Sequence, residues 1–516
     1  MGRCNHVTNL PKLPIYQNEQ RPIRQKGLLT TVQDHCEISE KVLGYRFRLN
    51  LYLFDSGRKT VSTRFIWGLA LFFGSAGISF WLLRPDPPPP RLKRANVVLI
   101  IADTLRADHL GCYGYPRPTS PNLDRFAREN LLFLKNRAQA ACTFPSMNSL
   151  LTSRYPSVFI GQEDGSMGIP KEIPSLAKLL NNYGYDTVAI SSSPIVRNEP
   201  SEFNPHGGFG EGFDAFYESM TWNPAEMLVN RARELAPGLK PPYFLYLHFM
   251  DPHGPYQPPI THRYRFTRPY QDKDYIAAGN PNTLAEALSR DGRLPEIPAR
   301  DLEHLKDLYD EEIAYFDYQF GRLMRFFEER GLLENTIVVV ASDHGEAFAE
   351  HGDIKHCRGL YDTLIYTPLM IRLPGGQQGT FDALTQNLDI VPSLLDWTGI
   401  RSNGFGLEGL SLVPLVESGE AINSYAFSAQ TRERAVTSSS HKLIVKLRSQ
   451  EPLLFDLTRD PGELLDISAS QPDLVETMRR EIERWMTGLE KNGVPGSILN
   501  AEEEMEEKLR SLGYIQ

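Results

Sequence analysis

Asn96 to Asp103 reads NVVLIIAD, a run of apolar, mostly β-branched residues closed by a carboxylate. A strand with one wet face alternates apolar and polar side chains. A run without alternation belongs to a strand covered on both faces. The same shape recurs at Asp186 to Ser192 (DTVAISS), Tyr243 to Phe249 (YFLYLHF), Thr336 to Ser342 (TIVVVAS) and Pro368 to Leu373 (PLMIRL). Helical stretches lie between them. The clearest runs from Asp310 to Arg330, where Ile313, Phe316, Phe320, Leu323 and Phe327 recur at helical spacing and Gly331 follows the end. The aromatic stripe Tyr315, Phe316, Phe320, Phe326 and Phe327 reads as core packing, not as a ligand box. The alternation predicts an α/β fold with a mostly parallel central sheet flanked by helices, whose ligands collect beyond the carboxyl ends of the strands.

Around this stretch, 516 residues with 41% hydrophobic and 23% charged content fit a large globular domain with a smaller appendage. A net charge of -9 argues against a nucleic-acid partner, which would leave a basic footprint. The five cysteines (Cys4, Cys36, Cys112, Cys142, Cys357) form neither a disulfide framework nor a CxxC pattern. A single bridge such as Cys112 to Cys142 stays open at this point. Phe65 to Leu83 carries no charge and holds Trp67 and Trp81 near its ends. Its ~19 apolar or small residues suffice to cross a bilayer core of about 30 Å. A stiff RPDPPPPR tether follows. Arg21, Arg24, Lys26, Arg46, Arg48, Arg58, Lys59 and Arg64 precede the span, which places them in the cytoplasm and the rest of the chain outside. After about Asn423 shorter strand-like pieces (SYAFSAQ, KLIVKL, PLLFDL) and a helix from about Pro472 to Leu489 read as a small α+β subdomain. Ala501 to Leu512 reads as a charged amphipathic helix.

Three strand ends carry polar clusters: Asp103-Thr104, Ser342-Asp343-His344-Gly345-Glu346, and the stretch from His248 through Asp251 and His253 to Tyr256. One Asp or His in a loop is ordinarily a cap or a turn. Three such clusters on one sheet predict a divalent cation, and carboxylate oxygen with neutral imidazole suits Zn or Mn better than Ca. A fourth piece runs from Ala141 to Thr152. Pro145 is suited to open a helix, which puts Thr143 just before its N-terminus, where amides stabilise negative charge. Alone, Thr143 would read as an N-cap.

These stretches resemble the sulfatases and their phosphoesterase relatives. NVVLIIADTLRADHLGCYGYPRPTSPNLDRFA is similar to the family's opening, and CTFPSMNSLLTSRYP to its nucleophile motif. FMDPHGPYQPP, TIVVVASDHGEAFAEHGDIKHCRGLYDTLIYTPLMIRLPG and LLFDLTRDPGELLD follow in the family's order. The resemblance implies an alkaline-phosphatase-like core and an esterase of sulfate or phosphate esters. It implies Asp103, Asp343 and His344 as metal ligands, with Thr143 as nucleophile and further ligand. His253 and His356 would hold the oxyanion or protonate the leaving group, and Lys355 and Asn148 would contact substrate. The expected domains are a cytoplasmic segment 1–64, a transmembrane helix 65–83, a linker 84–95, a sulfatase-like catalytic domain 96–422, a subdomain 423–490 and a tail helix 491–516.

The departures from the family pattern are specific. Formylglycine requires Cys two residues before the proline and Arg two after it; here those positions hold Thr143 and Met147. Cys142 is one residue out of register and reads as a small buried hydrophobe whose replacement by alanine is nearly silent. Thr104 stands for the usual second Asp, and His344 for the usual Asn. The chain therefore resembles the Thr-nucleophile branch, which includes phosphoester hydrolases and phospho-group transferases. The alternatives are an extracytoplasmic phospho-alcohol transferase acting on envelope glycan or lipid, a non-catalytic anion-binding descendant, and a purely structural membrane protein.

Overall fold

The computed structural model describes residues 94–156, 168–218, 222–268 and 279–491. They belong to the second of two compact units, Asp86–Gln516. The expected cytoplasmic segment, the span 65–83, the linker up to residue 93 and the tail from residue 492 lie outside the described residues. Among the described residues no helix is long and apolar enough to cross a membrane.

The strands, in chain order, are β1 (Asn96–Ala102), β2 (Leu131–Arg137), β3 (Asp186–Ser191), β4 (Ala215–Tyr217), β5 (Tyr243–Phe249), β6 (Thr336–Ala341), β7 (Ala347–Phe348), β8 (Ile354–Lys355), β9 (Leu369–Arg372) and β10 (Gly379–Gln386). Then come β11 (Ala426–Gln430), β12 (Glu433–Thr437), β13 (His441–Lys446) and β14 (Pro452–Asp456). Eight of them form the central sheet, in the order β10-β2-β9-β6-β1-β5-β3-β4. Every residue of β1 is buried, which is why it shows no alternation. Val98, Ile100 and Ala102 pack on one face, and Val97, Leu99 and Ile101 on the other. The first face is covered by the helices Ala299–Glu329, Pro121–Glu129 and Ala225–Leu235. The second is covered by Thr143–Thr152, Leu176–Asn182 and Ile390–Trp397. The aromatic stripe of the long helix is core, as its spacing predicts.

β1 pairs in parallel with β6 on one side and β5 on the other. Strands β6, β1 and β5 therefore end side by side, and β1 is the point from which the sheet grows in both directions. An open α/β sheet leaves a crevice at such a point.

Three local features differ from the sequence reading. The long helix begins at Ala299, not Asp310, behind Pro298 as N-cap. Leu305 and Leu308 continue the core stripe through a stretch whose charges mask it. PLMIRL forms β9, which is antiparallel to both neighbours. Chain leaving β6 wanders over the carboxyl edge and returns on that same edge, so no crossover reverses it. Cys142 is bridged to Cys357, 215 residues away, and Cys112 has no disulfide partner among the described residues. Cys142 is thus half of a crosslink, not a lone buried hydrophobe.

Strands β11 to β14 make an antiparallel sheet. The helix Pro472–Lys491 lays Val475, Met478, Ile482, Trp485 and Leu489 on one face of it. From the other face Ala435, Ile444 and Phe455 pack on Leu360, Leu364 and Ile365. Buried Lys442 and Arg137 both reach Asp362, at 2.8 and 2.7 Å, and so pin the chain leaving the strand-end region.

Candidate active site

The carboxyl ends of β1 and β6 bring Asp103, Asp343 and His344 together. Each offers one ligand atom, and these atoms lie within 4.8 Å of one another, all buried. Asp343 Oδ1 accepts the backbone N–H groups of Thr104 (3.2 Å) and His344 (2.9 Å). Its other oxygen, Oδ2, has no hydrogen bond and lies 3.3 Å from His344 Nε2. Asp103 Oδ1 is likewise buried without a partner. Leaving a buried carboxylate oxygen unpaired costs several kcal/mol, on the order of 1–3 even for neutral groups. Two such oxygens beside one imidazole nitrogen are the donor set a cation would satisfy, so these residues fit a divalent metal.

His344 Nδ1 lies 2.9 Å from the carbonyl of Gly345. A carbonyl only accepts, so Nδ1 carries a proton and Nε2 faces the cluster, where the neutral ring would offer its lone pair to a cation. Nε2 is 3.1 Å from Thr143 Oγ1. Burial pulls the His344 pKa down, but Asp343 and Asp103 outweigh it, and the pKa ends above the usual histidine value. Burial, reinforced by Asp343, drives Asp103 well above the usual carboxylate range. Each is the mark of a crowded acidic cluster in want of positive charge.

Thr143 is the first residue of the helix Thr143–Thr152, with Cys142 as its extended N-cap. The sequence reading puts Thr143 just before the helix instead of in it. Pro145 falls at the third position instead of the first and still sits where no intrahelical N–H bond is owed. Ser146 Oγ donates to the carbonyl of Asp343 at 2.6 Å, which locks this helix to the β6 end.

His248, at the end of β5, holds Asp103 from behind. Its Nε2 is 3.2 Å from Asp103 Oδ2, and its Nδ1 is 2.7 Å from the Tyr246 hydroxyl. Burial, only partly opposed by Asp343, brings its pKa down to about 4, so the ring is neutral. Glu346 holds His356 in the same way: its Oε1 is 2.9 Å from His356 Nδ1. Sequence reasoning finds His248 and Glu346 inside the clusters but gives them no part. The available signal is a polar residue at the buried end of an otherwise apolar strand. Thr104 is backbone-strained, with φ of 59° on a β-branched residue, and this conformation aims its N–H at Asp343.

His253 and His356 line a cavity of about 920 Å³ together with Lys355, Cys357, Trp222 and Phe203. The His356 ring stands 4.7 Å from that of His344 and 5.0 Å from that of His253, so imidazoles connect the cavity to the buried cluster. Trp222 lies 5.4 Å from His253. Burial, with His344 and Lys355 adding to it, holds His356 well below the usual histidine pKa. Burial and His356 do the same to His253, against Glu346. Lys355 reaches the cavity wall, where its ammonium donates to Asn282 Oδ1 at 2.8 Å. Asn148 is not brought to the cavity: it is fully buried and donates back along its own helix to Phe144.

The chain is similar to known proteins over this whole region. The family model described as Sulfatase matches residues 95–400, and that of the N-sulphoglucosamine sulphohydrolase C-terminal region matches residues 349–490. An arylsulfatase of Clostridium perfringens is 26% identical over 79% of this chain and 97% of its own. Arylsulfatase A of Homo sapiens is 24% identical over 75% of this chain and 86% of its own. The crystal structure of a phosphonate monoester hydrolase of Agrobacterium radiobacter superposes with a TM-score of 0.62, at 21% identity, over 76% of this chain and 95% of that one. The match at 95–400 takes in β1 with Asp103, the Thr143 helix, His253 and the Asp343–His344 turn. The chain belongs to the sulfatase family, within the alkaline-phosphatase-like superfamily, and is an ester hydrolase.

Proposed function

We propose that this protein cleaves phosphate or phosphonate monoesters, and sulfate esters as the second reading, through a covalent intermediate on unmodified Thr143. One observation carries the proposal: Thr143 Oγ1 stands at a helix N-terminus, 3.1 Å from His344 Nε2 in the Asp103–Asp343–His344 cluster. Asp103, Asp343 and His344 would hold a divalent cation, Zn or Mn by donor chemistry, with Thr143 beside it. Such a cation would lower the pKa of the Thr143 hydroxyl and offset the charge of the ester's oxygens.

Thr143 Oγ1, its proton already lost to solvent, attacks the central atom in line as an alkoxide, and the bond to the leaving oxygen breaks with its electron pair. His356, backed by Glu346, gives that oxygen its proton, while His253 holds the anionic ester from the cavity side. Water then attacks the same central atom, returns a proton to His356 and frees Thr143. A formylglycine hydrate can expel its ester group by closing to a carbonyl. Threonine has no second hydroxyl and must be released by that second displacement. This chemistry is familiar for phosphorus, which is why phosphorus esters stand first.

A panel of phosphate monoesters, diesters, phosphonates and aryl sulfates, assayed on the metal-loaded catalytic unit, tests the reading. The lowered pKa of His356 leaves it neutral in the free enzyme at pH 7, so its acid form grows as pH falls. For alkyl esters, whose leaving oxygen needs a proton, kcat/KM is expected to keep rising as pH drops below about 6.5, the ordinary histidine value. Nitrophenyl esters, which leave unprotonated, show no such rise. No turnover across the panel, or identical profiles for both leaving groups, refutes this mechanism.

We further propose a single membrane crossing at 65–83 with the catalytic unit outside the cytoplasm. Apart from the hydropathy of that stretch, the Cys142–Cys357 bridge supports it, since disulfides persist in oxidising compartments. Topology reporters fused before Arg64 and after Arg94 are expected on opposite sides. Reporters on the same side would end the claim.

A further inference from the structure

We infer that the Cys142–Cys357 bridge is a positioning clamp for the covalent step: it holds the nucleophile and the general acid in mutual register. The inference rests on the mechanism proposed above. Cys142 directly precedes Thr143 and is the N-cap of its helix. Cys357 directly follows His356 and faces the cavity. One covalent bond, with Cα atoms 4.6 Å apart, therefore joins the two neighbours of the reacting pair across 215 residues of chain.

The clamp is doubled in the backbone. Cys357 N–H donates to the carbonyl of Ala141 at 2.7 Å, so the two stretches of chain also meet next to the sulfurs. Gln430 Nε2 holds the Cys357 carbonyl at 3.1 Å. The acid loop needs such help. Lys355 and Cys357 both adopt left-handed backbone, at φ of 67° and 70°, which non-glycine residues avoid. Upstream the loop is held by the short two-residue pairing of β7 with β8, and His356 itself by the Glu346 contact. Catalysis by a positioned acid tolerates little drift: a misplacement of about 1 Å can cost about 100-fold. Cys142 and Cys357 are thus positioning residues, acting through Thr143 and His356.

A general loss of stability would lower all turnover alike. A clamp on the acid makes a different prediction. The metal-loaded protein is reduced with a phosphine, which binds metal weakly, and compared with the oxidised protein and with the Cys142→Ser/Cys357→Ser and Cys142→Ala/Cys357→Ala variants. Each is assayed below its own melting temperature. For alkyl esters kcat is expected to fall about 100-fold with KM changed by less than about threefold. For nitrophenyl esters, whose leaving oxygen needs no proton, kcat/KM, which ends at the first displacement, falls by less than about tenfold. Reoxidation of the reduced protein restores the alkyl-ester rate, and metal content is unchanged throughout. Equal losses for both leaving groups, no loss at all, or unfolding of the reduced protein and both double variants overturns the clamp. If the oxidised protein cleaves none of these esters, it is the functional reading that fails. If it cleaves them and ignores reduction, only the clamp fails.

Discussion

Thr143→Ala is expected to leave a folded protein that still takes up an anionic ester and turns it over about 10⁴-fold or more slowly. The fold survives because alanine is a good first-turn residue and the helix start is held independently by Cys142 and by Ser146 on Asp343. The lost hydroxyl forfeits one hydrogen bond to His344, about 1 kcal/mol of stability. Binding persists because His253, His356 and the cluster remain. What disappears is the oxygen that forms the bond. Acid quench of the wild-type reaction, followed by reduction and peptide mass spectrometry, should show a phospho- or sulfo-adduct on Thr143. The same peptide should show Cys142 as an ordinary thiol once reduced, without oxidation to an aldehyde. A variant within about tenfold of the wild-type rate, or an adduct on another residue, would sink the nucleophile assignment.

Asp343→Asn and Asp343→Ala should both lose bound Zn or Mn, with turnover lower by about 10³-fold. That corresponds to removing several kcal/mol of charge stabilisation at about 1.4 kcal/mol per decade. The two substitutions separate charge from structure. Asparagine keeps an oxygen for the N–H groups of Thr104 and His344, whereas alanine leaves both buried and unpaired. The Asp343→Asn protein should therefore fold nearly as well as the metal-free wild type, and the Asp343→Ala protein less well. Metal content by elemental analysis is the first readout. The second is thermal: a chelator should lower the melting temperature of the wild type and leave that of the Asp343→Asn protein where it was. Full metal occupancy in either variant would show that the cation is held elsewhere.

The sheet was legible because burial on both faces writes itself into a strand as an unbroken apolar run, and the runs at β1, β3, β5 and β6 fall on strands to within a residue. The same logic could not give the direction of β9. Direction depends on the path of the connection, and the apolar run is the same read either way. Asp103, Asp343, His344 and Thr143 were legible as strand-end and helix-start residues, and they converge. Asn148 was named from a motif alone. Its place one turn into a buried helix turns it back on Phe144, which helical spacing from Thr143 could have signalled. The bridge partner of Cys142 had no local signature at all. Cys357 comes beside it only because β2, the nucleophile helix and the chain after β6 share one edge of the sheet.

That shared edge also divides inheritance from novelty. The metal-site residues and Thr143 sit at the ends of buried strands and in the first turn of a buried helix, where any shift disturbs the core. The far walls of the cavity are drawn from other material: Ile195 and Phe203 after β3, Trp222 before the helix Ala225–Leu235, and Asn282 and Glu286 on a peripheral helix. Connecting segments tolerate substitution and insertion far better than strands do. A lineage carrying this fold can therefore exchange the alcohol it recognises while the residues at the sheet edge stay in place.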